Sequence, residues 1–239
     1  MKIVHISDIH VGGPDFIEDL GDNVVAQVNK LGADVLVVTG DLTNDGYMHE
    51  YELAKKFIDR FDISEKIVVP GNHDARNVGY ELFEETFGPR WKTYKKDRIV
   101  IVAGDSTEPD IDDGHIGRGN YNYMIKNFRK GDFKIFAIHH HLIPIPGTGR
   151  ERNIPVDSGD VLKLLVETRV NLVLCGHKHM PWIWKLENTY MIVAGTATTS
   201  RLKAKVEQSF KLIEIDKKLR IWKIMSGTGT KSLIKEHKL

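Results

Sequence analysis

A chain of 239 residues, 41% of them hydrophobic and 28% charged, can bury a substantial core, and a single α/β domain of that size is ordinary. The formal net charge of +1 gives no global attraction to nucleic acid or to an anionic membrane surface, and one cysteine, Cys175, excludes an intrachain disulfide framework. No apolar run approaches the roughly 20 residues that span a bilayer; Met1 runs directly into an apolar stretch unlike a signal peptide, so a cytoplasmic location is expected.

The first predicted element is a strand, Lys2-Ile3-Val4-His5-Ile6, leading into Asp8-Ile9-His10. A helix over 16–31 follows, then a strand at Val35-Leu36-Val37-Val38 that runs into Gly40-Asp41. The next helix, over 47–60, carries Tyr51, Ala54, Phe57, Ile58 and Phe61 at three- and four-residue spacing, the stripe of a helix packed on a core. Ile67-Val68-Val69 leads into Gly71-Asn72-His73-Asp74, and helices are expected over 79–87 and 120–130. A strand at Lys134-Ile135-Phe136-Ala137-Ile138 enters His139-His140-His141; a helix over 157–168 precedes Leu172-Val173-Leu174-Cys175, which enters Gly176-His177-Lys178-His179. These strands are short, continuous and β-branched, as strands buried on both faces are, and their alternation with helices predicts a largely parallel arrangement. Past His179 come short apolar runs at 181–186, 189–194, 209–215 and 219–225, with hairpin turns at Glu187-Asn188 and Asp216-Lys217-Lys218, so this half is expected to be antiparallel β. Residues 1–225 read as a single domain and 226–239 as a polar tail or a short peripheral helix.

Five polar motifs thus stand just past five buried strands. In open α/β sheets, ligands bind beyond the carboxyl ends of the strands, which puts all five on one rim. Taken singly, Asp8 or Asp41 is an ordinary turn residue or helix cap, and His139 to His141 an exposed run. However, seven of the eleven histidines (His10, His73, His139, His140, His141, His177 and His179) fall in these motifs, which unrelated surface turns would not produce. Imidazole and carboxylate together suit Mn, Fe, Zn, Co or Ni, whereas Ca and Mg prefer oxygen cages. The candidate donors are too many for one ion and about right for two sharing a carboxylate. Paired metals about 3.5 to 4 Å apart clamp the attacking and leaving oxygens of an in-line displacement at phosphorus.

In this order, Asp-x-His, Gly-Asp, Gly-Asn-His-Asp, a strand-terminal His and Gly-His-x-His resemble the signature of the calcineurin-like metallophosphoesterase superfamily. The His139-His140 pair is similar to that of members hydrolysing cyclic nucleotides and glycerophosphodiesters. The resemblance implies a four-layer αββα sandwich, two mixed sheets packed face to face with flanking helices. It implies two divalent transition metal ions, manganese among the candidates, one on Asp8, His10, Asp41 and His179 and one on Asp41, Asn72, His139 and His177, with attack by a hydroxide held between them. His73 would act near the leaving group, with Asp74 orienting its ring. In place of the Pro-Pro that often follows His-His in relatives, this chain has His141-Leu142, which leaves the ligand but alters the local pocket.

Substrate contacts are expected from His140, Arg150 and Arg152, because arginine reads phosphate oxygens bidentately. Equally, the two arginines could pair with Glu151, Asp157 or Asp160 to fix their own loop. The expected activity is hydrolysis of a small-molecule phosphoester, with a diester favoured. A phosphomonoesterase on nucleotides or sugar phosphates is the alternative within enzymes, and a non-catalytic metal-binding scaffold the alternative outside them.

Overall fold

The computed structural model of the protein describes residues 1–149 and 153–239. Among these the chain folds into two six-stranded sheets and five helices. The first sheet contains β1 (Lys2–Ile6), β2 (Val35–Thr39), β3 (Glu65–Val69), β10 (Ser209–Ile215), β11 (Lys218–Met225) and β12 (Lys231–Lys238), ordered β12-β11-β10-β1-β2-β3. In the second, β4 (Lys92–Lys96), β5 (Ile99–Ala103), β6 (Phe133–Ala137), β7 (Leu172–Cys175), β8 (Trp182–Leu186) and β9 (Thr189–Val193) are ordered β4-β5-β6-β7-β9-β8. Helices α1 (Glu18–Asn29), α2 (Met48–Asp59) and α3 (Gly79–Phe87) accompany the first sheet, and α4 (Arg118–Lys126) and α5 (Ser158–Glu167) the second.

The two-residue period of a strand sends alternate side chains to opposite faces, and this sorts the core into three layers. Ile3, Val35, Val37 and Ile67 of the first sheet meet Ile101, Ile135, Leu172 and Ile192 of the second. On the outer face of the first sheet, Val4, Ile6, Leu36 and Val38 pack on Val24 and Val28 of α1, Tyr51 and Phe57 of α2 and Phe83 of α3. Val100, Phe136 and Val173 do the same against Met124 of α4 and Val161 and Leu165 of α5. The result is the αββα sandwich that the motifs imply. His5 lies between the sheets, its Nε2 2.9 Å from Thr39 Oγ1, in a strip it shares with the buried Lys211, whose Nζ donates to the Ala194 carbonyl.

Four features differ from the expectation. A β4–β5 hairpin forms in the second sheet: Ile99–Ala103 is a continuous apolar run with no motif at its end, and Lys92–Lys96 is too charged to read as a strand. The strands past His179 divide between the two sheets, and β9 runs parallel to β7 although it is antiparallel to β8. Residues 231–238 form neither a tail nor a helix; they are edge strand β12, antiparallel to β11. Its side chains are exposed throughout, so it lacks apolar alternation, and its lysines are the usual protection of an open sheet edge. Helix α4 begins at Arg118, directly after Gly117 at φ +81°, two residues before the expected start.

Within each sheet the motif-bearing strands are mutually parallel, β1, β2 and β3 in one and β6 and β7 in the other. Their carboxyl ends therefore deliver Asp8, Asp41, Asn72, His139 and His177 to one rim of the sandwich.

Candidate metal centre

The loops at this rim are laced together by their backbones. Asp8 N–H donates to the Gly40 carbonyl at 3.0 Å, and Ile9 and His10 N–H both donate to the Asp41 carbonyl at 2.8 and 2.9 Å. The segment after β9 supports them, with Thr196 and Thr198 hydroxyls donating to the carbonyls of Asp8 and Ile9. Five side-chain donors sit on left-handed backbone: Asp8 (φ 53°), His10 (49°), Asp41 (52°), His177 (74°) and His179 (53°). Such strain costs on the order of 1–3 kcal/mol per residue and persists only where the surroundings impose it, often at functional sites. Two glycines let the loops close in. A Cβ on Gly40, itself at φ +83°, would lie 2.6 Å from His139 Nδ1, and one on Gly176 would lie 1.8 Å from Ser7 Oγ and 2.5 Å from Asp8 Oδ2.

Two groups of donors result, joined through one carboxylate. Asp8, His10, Asp41 and His179 offer ligand atoms all within 4.8 Å of one another. In this group His10 Nε2 lies 3.3 Å from His179 Nε2 and 3.6 Å from Asp41 Oδ2, and His179 Nε2 lies 3.4 Å from Asp8 Oδ1. In the second group, His139 Nε2 is 3.5 Å from Asp41 Oδ1, 3.1 Å from Asn72 Oδ1 and 3.2 Å from His177 Nδ1, and His177 Nδ1 is 2.9 Å from Asn72 Oδ1. Asp41 thus turns one oxygen to each group.

The electrostatics call for a cation. Burial, reinforced by the neighbouring Asp41, pushes the Asp8 carboxyl well above the usual range. Burial acts the same way on Asp41, but positive charge at the positions of His139, His73 and His10 outweighs it and holds that carboxyl low, a charge that a cation among neutral rings would supply. Burial also depresses His10, His139 and His177, and lowers His179 to about 4, so the rings are neutral and present lone pairs. Carbonyls fix two of their tautomers: His139 Nδ1–H donates to Thr39 and His179 Nδ1–H to Arg201, leaving each Nε2 bare and pointing inward. Among the described residues no lysine or arginine pairs with Asp8 or Asp41. Converging lone pairs with no counter-charge fit divalent ions that accept mixed nitrogen and oxygen ligands.

His73 approaches the same centre, its ring edge-on to His10 with centroids 4.7 Å apart. Its Nδ1 lies 2.5 Å from the Asn44 carbonyl and 2.9 Å from Arg76 Nη1. Asp74 does not touch that ring, contrary to expectation. It is fully buried and accepts the N–H groups of Leu42, Thr43 and Gly71 and the Thr43 hydroxyl, which ties the β3 motif to the β2 motif. Four local donors satisfy the carboxylate, and the turn directs it away from its neighbour's ring.

His140, expected to contact substrate, does not reach the surface. It is fully buried, its Nε2–H donates to the Asp112 carbonyl at 3.1 Å, and its Nδ1 accepts from Ser106 Oγ at 2.8 Å. Its ring packs against those of His139 and His177, with centroids 5.0 and 4.6 Å away, but both its nitrogens are taken by the 106–112 loop, so it offers the donor group no lone pair. Arg150, Glu151 and Arg152 lie outside the described residues. Of their suggested partners, Asp157 accepts from Ile116 and Gly117 N–H and the Tyr121 hydroxyl, and Asp160 pairs with Arg118.

A cavity of about 500 Å³ opens over the two groups, lined by Asn72, His73, His177 and His179 and by Arg76, Asp112, Arg201 and Lys203. None of the last four was assigned a role from sequence. Arg76 follows Gly-Asn-His-Asp by two residues, and Asp112 and Arg201 lie in loops whose order only the fold determines. A larger cavity, about 790 Å³, lies at the opposite ends of the strands around Ile99, Phe133 and Tyr190, far from the motif rim.

The calcineurin-like phosphoesterase family model matches residues 1–181. The chain belongs to that family. A member of it is a metal-dependent phosphoesterase, and the buried aspartate–histidine group is where such a member could hold metal. Curated relatives include a probable cyclic nucleotide phosphodiesterase of Xenorhabdus bovienii, 24% identical over 79% of this chain and 82% of the relative. The glycerophosphodiester phosphodiesterase GpdQ of Enterobacter lignolyticus is 28% identical over 87% of this chain and 78% of its own length. Among solved structures, a purple acid phosphatase from yellow lupin aligns with a TM-score of 0.76 at 15% identity. That alignment covers 98% of this chain and 52% of the lupin protein, and it supports the fold alone.

Proposed function

We propose that this phosphoesterase is a two-metal phosphodiesterase. The observation that carries the reading is Asp41, with Oδ2 facing His10 and Oδ1 facing His139. One ion would rest on Asp8, His10, Asp41 and His179 and the other on Asp41, Asn72, His139 and His177. When bound, such a pair supplies Lewis acidity and lowers the pKa of a water held beside it. The chain does the rest. Asn72 contributes an amide oxygen, which binds metal without a negative charge that would repel phosphate. His73 Nδ1 faces Asn44 and the Arg76 guanidinium, and a ring that accepts from Arg76 there carries its proton on Nε2, for the leaving-group oxygen. Relatives named for cyclic nucleotides and glycerophosphodiesters support a diester substrate.

A phosphomonoesterase has one observation in its favour: Arg76, Lys178, Arg201 and Lys203 line the cavity and could neutralise a dianion. Comparing kcat/KM for bis(p-nitrophenyl) phosphate and p-nitrophenyl phosphate on protein reconstituted with Mn(II) separates the two. The diester is expected to be the better substrate. A strong preference for the monoester would favour the alternative, and no turnover of either by protein holding its metals would favour a binding scaffold.

A further inference from the structure

The Asn72 amide has a choice to make. Its side chain faces two imidazole nitrogens, His139 Nε2 and His177 Nδ1, at 3.1 and 2.9 Å. In the absence of an ion, the amide could satisfy the bare His139 Nε2 by turning its NH₂ to it and donating, and that rotamer leaves no oxygen for a metal. The structure has the opposite arrangement. Asn72 Nδ2 points outward and donates to Asp112 Oδ1 at 2.9 Å, which leaves Oδ1 facing the imidazoles. A carboxylate only accepts, so the group opposite Asp112 has to be the NH₂, and the inward atom has to be oxygen.

The same Asp112 oxygen accepts from Arg76 Nη2 at 3.0 Å. Arg76 Nη1 lies 3.3 Å from the Asn44 carbonyl, 3.4 Å from Asp45 Oδ1 and 2.9 Å from His73 Nδ1. Its guanidinium is therefore held at two points on the wall of the cavity that contains the donors. Asp112 is itself located from behind, because its carbonyl accepts from His140, whose other ring nitrogen accepts from Ser106. Gly114 packs so closely on that imidazole that a Cβ would lie 2.8 Å from His140 Cγ. The buried histidine beside the candidate ligand His139 thus fixes the loop that aims Asp112.

We propose that Asp112 is a positioning residue of the hydrolytic centre: one carboxylate oxygen holds the Asn72 amide with its oxygen inward and holds Arg76 where its guanidinium reads a non-bridging oxygen of the substrate's phosphoryl group. The proposal rests on the two-metal reading. It places recognition of the phosphoryl group on Arg76, and it gives His140 the role of anchor for the loop.

Asp112→Ala, Asp112→Asn and Arg76→Ala test it in the full-length chain. Two readouts are needed: Co(II) binding to metal-free protein by equilibrium dialysis, and kcat and KM on bis(p-nitrophenyl) phosphate. Asp112→Ala is expected to bind one ion as the wild type does and the other about 10- to 100-fold more weakly, the usual effect of removing a ligand's outer partner. Asp112→Asn, which can still accept from Asn72, should keep the second ion to within a few-fold while KM rises about tenfold. Arg76→Ala should bind both ions normally and raise KM by at least as much, with kcat less affected. A residue that merely braced its loop would lower thermal stability and leave ion affinity and KM alone, and that outcome overturns the inference. Should Asp112→Ala not fold, the separation of ion affinity from KM in Asp112→Asn decides alone, and its absence overturns the inference. Wild-type protein that binds fewer than two ions overturns the two-metal reading and this inference with it. Two ions in the wild type with unchanged variants overturns only the inference.

Discussion

Asp41→Asn is expected to lose one of the two ions and most of the turnover. The substitution keeps the shape, and the amide oxygen can still accept the His73 N–H now 2.9 Å from Asp41 Oδ1. What goes is the negative charge facing both donor groups. Paired metals contribute several kcal/mol of transition-state stabilisation, and at about 1.4 kcal/mol per tenfold in rate kcat should fall by about 10² or more. Metal content of the purified variant and kcat on bis(p-nitrophenyl) phosphate check the two effects together. Misfolding has a separate signature. Asp41 is among the causes that push the buried Asp8 carboxyl up, so removing its charge relieves a repulsion in the metal-free protein. That contact is one of several to Asp41, so the test of folding is whether the metal-free variant keeps the cooperative thermal transition of the metal-free wild type. Two ions retained at a near-normal rate would mean that Asp41 does not join the two groups.

His73→Ala is expected to do the reverse, keeping both ions and losing about 10² to 10⁴ in kcat, the scale of a positioned acid or base. His73 lies edge-on to His10 but its backbone, not its ring, meets Asp41, and its Nδ1 is taken by Asn44. Removing the ring should leave the metal ligands in place. The loss should be smaller for a p-nitrophenyl ester, whose leaving group needs little protonation, than for an alkyl ester of the same phosphate. Equal losses would show that the ring stabilises charge without donating a proton, and loss of metal would place it among the ligands.

The five motifs and their strands were readable because each signal is local: a buried parallel strand is a continuous apolar run, and the residues just past it are the rim. That reasoning located Asp8, Asp41, Asn72, His139 and His177 from strand ends alone. It could not rank neighbours within a motif. Asp74 and His140 stand beside candidate ligands yet spend their polar atoms elsewhere, Asp74 on backbone N–H groups and His140 on the 106–114 loop. Which side a residue takes depends on the turn after the strand, and the left-handed φ of Asp41 and His177 are set by contacts between distant loops. Asp112 and Arg76 were hidden for the same reason, meeting only when a loop after β5 crosses the end of β3. Strand β12 escaped because an exposed edge needs no apolar pattern; only its pairing with β11 defines it.

The most direct test of the central claim is electron paramagnetic resonance of protein loaded with Mn(II), read beside its metal content. Ions sharing the Asp41 carboxylate should appear as two equivalents per chain with the spectrum of an exchange-coupled pair, and Asp41→Asn should remove the coupling. A single equivalent, or two equivalents giving only the six-line signal of isolated Mn(II), would contradict a bridged two-metal centre.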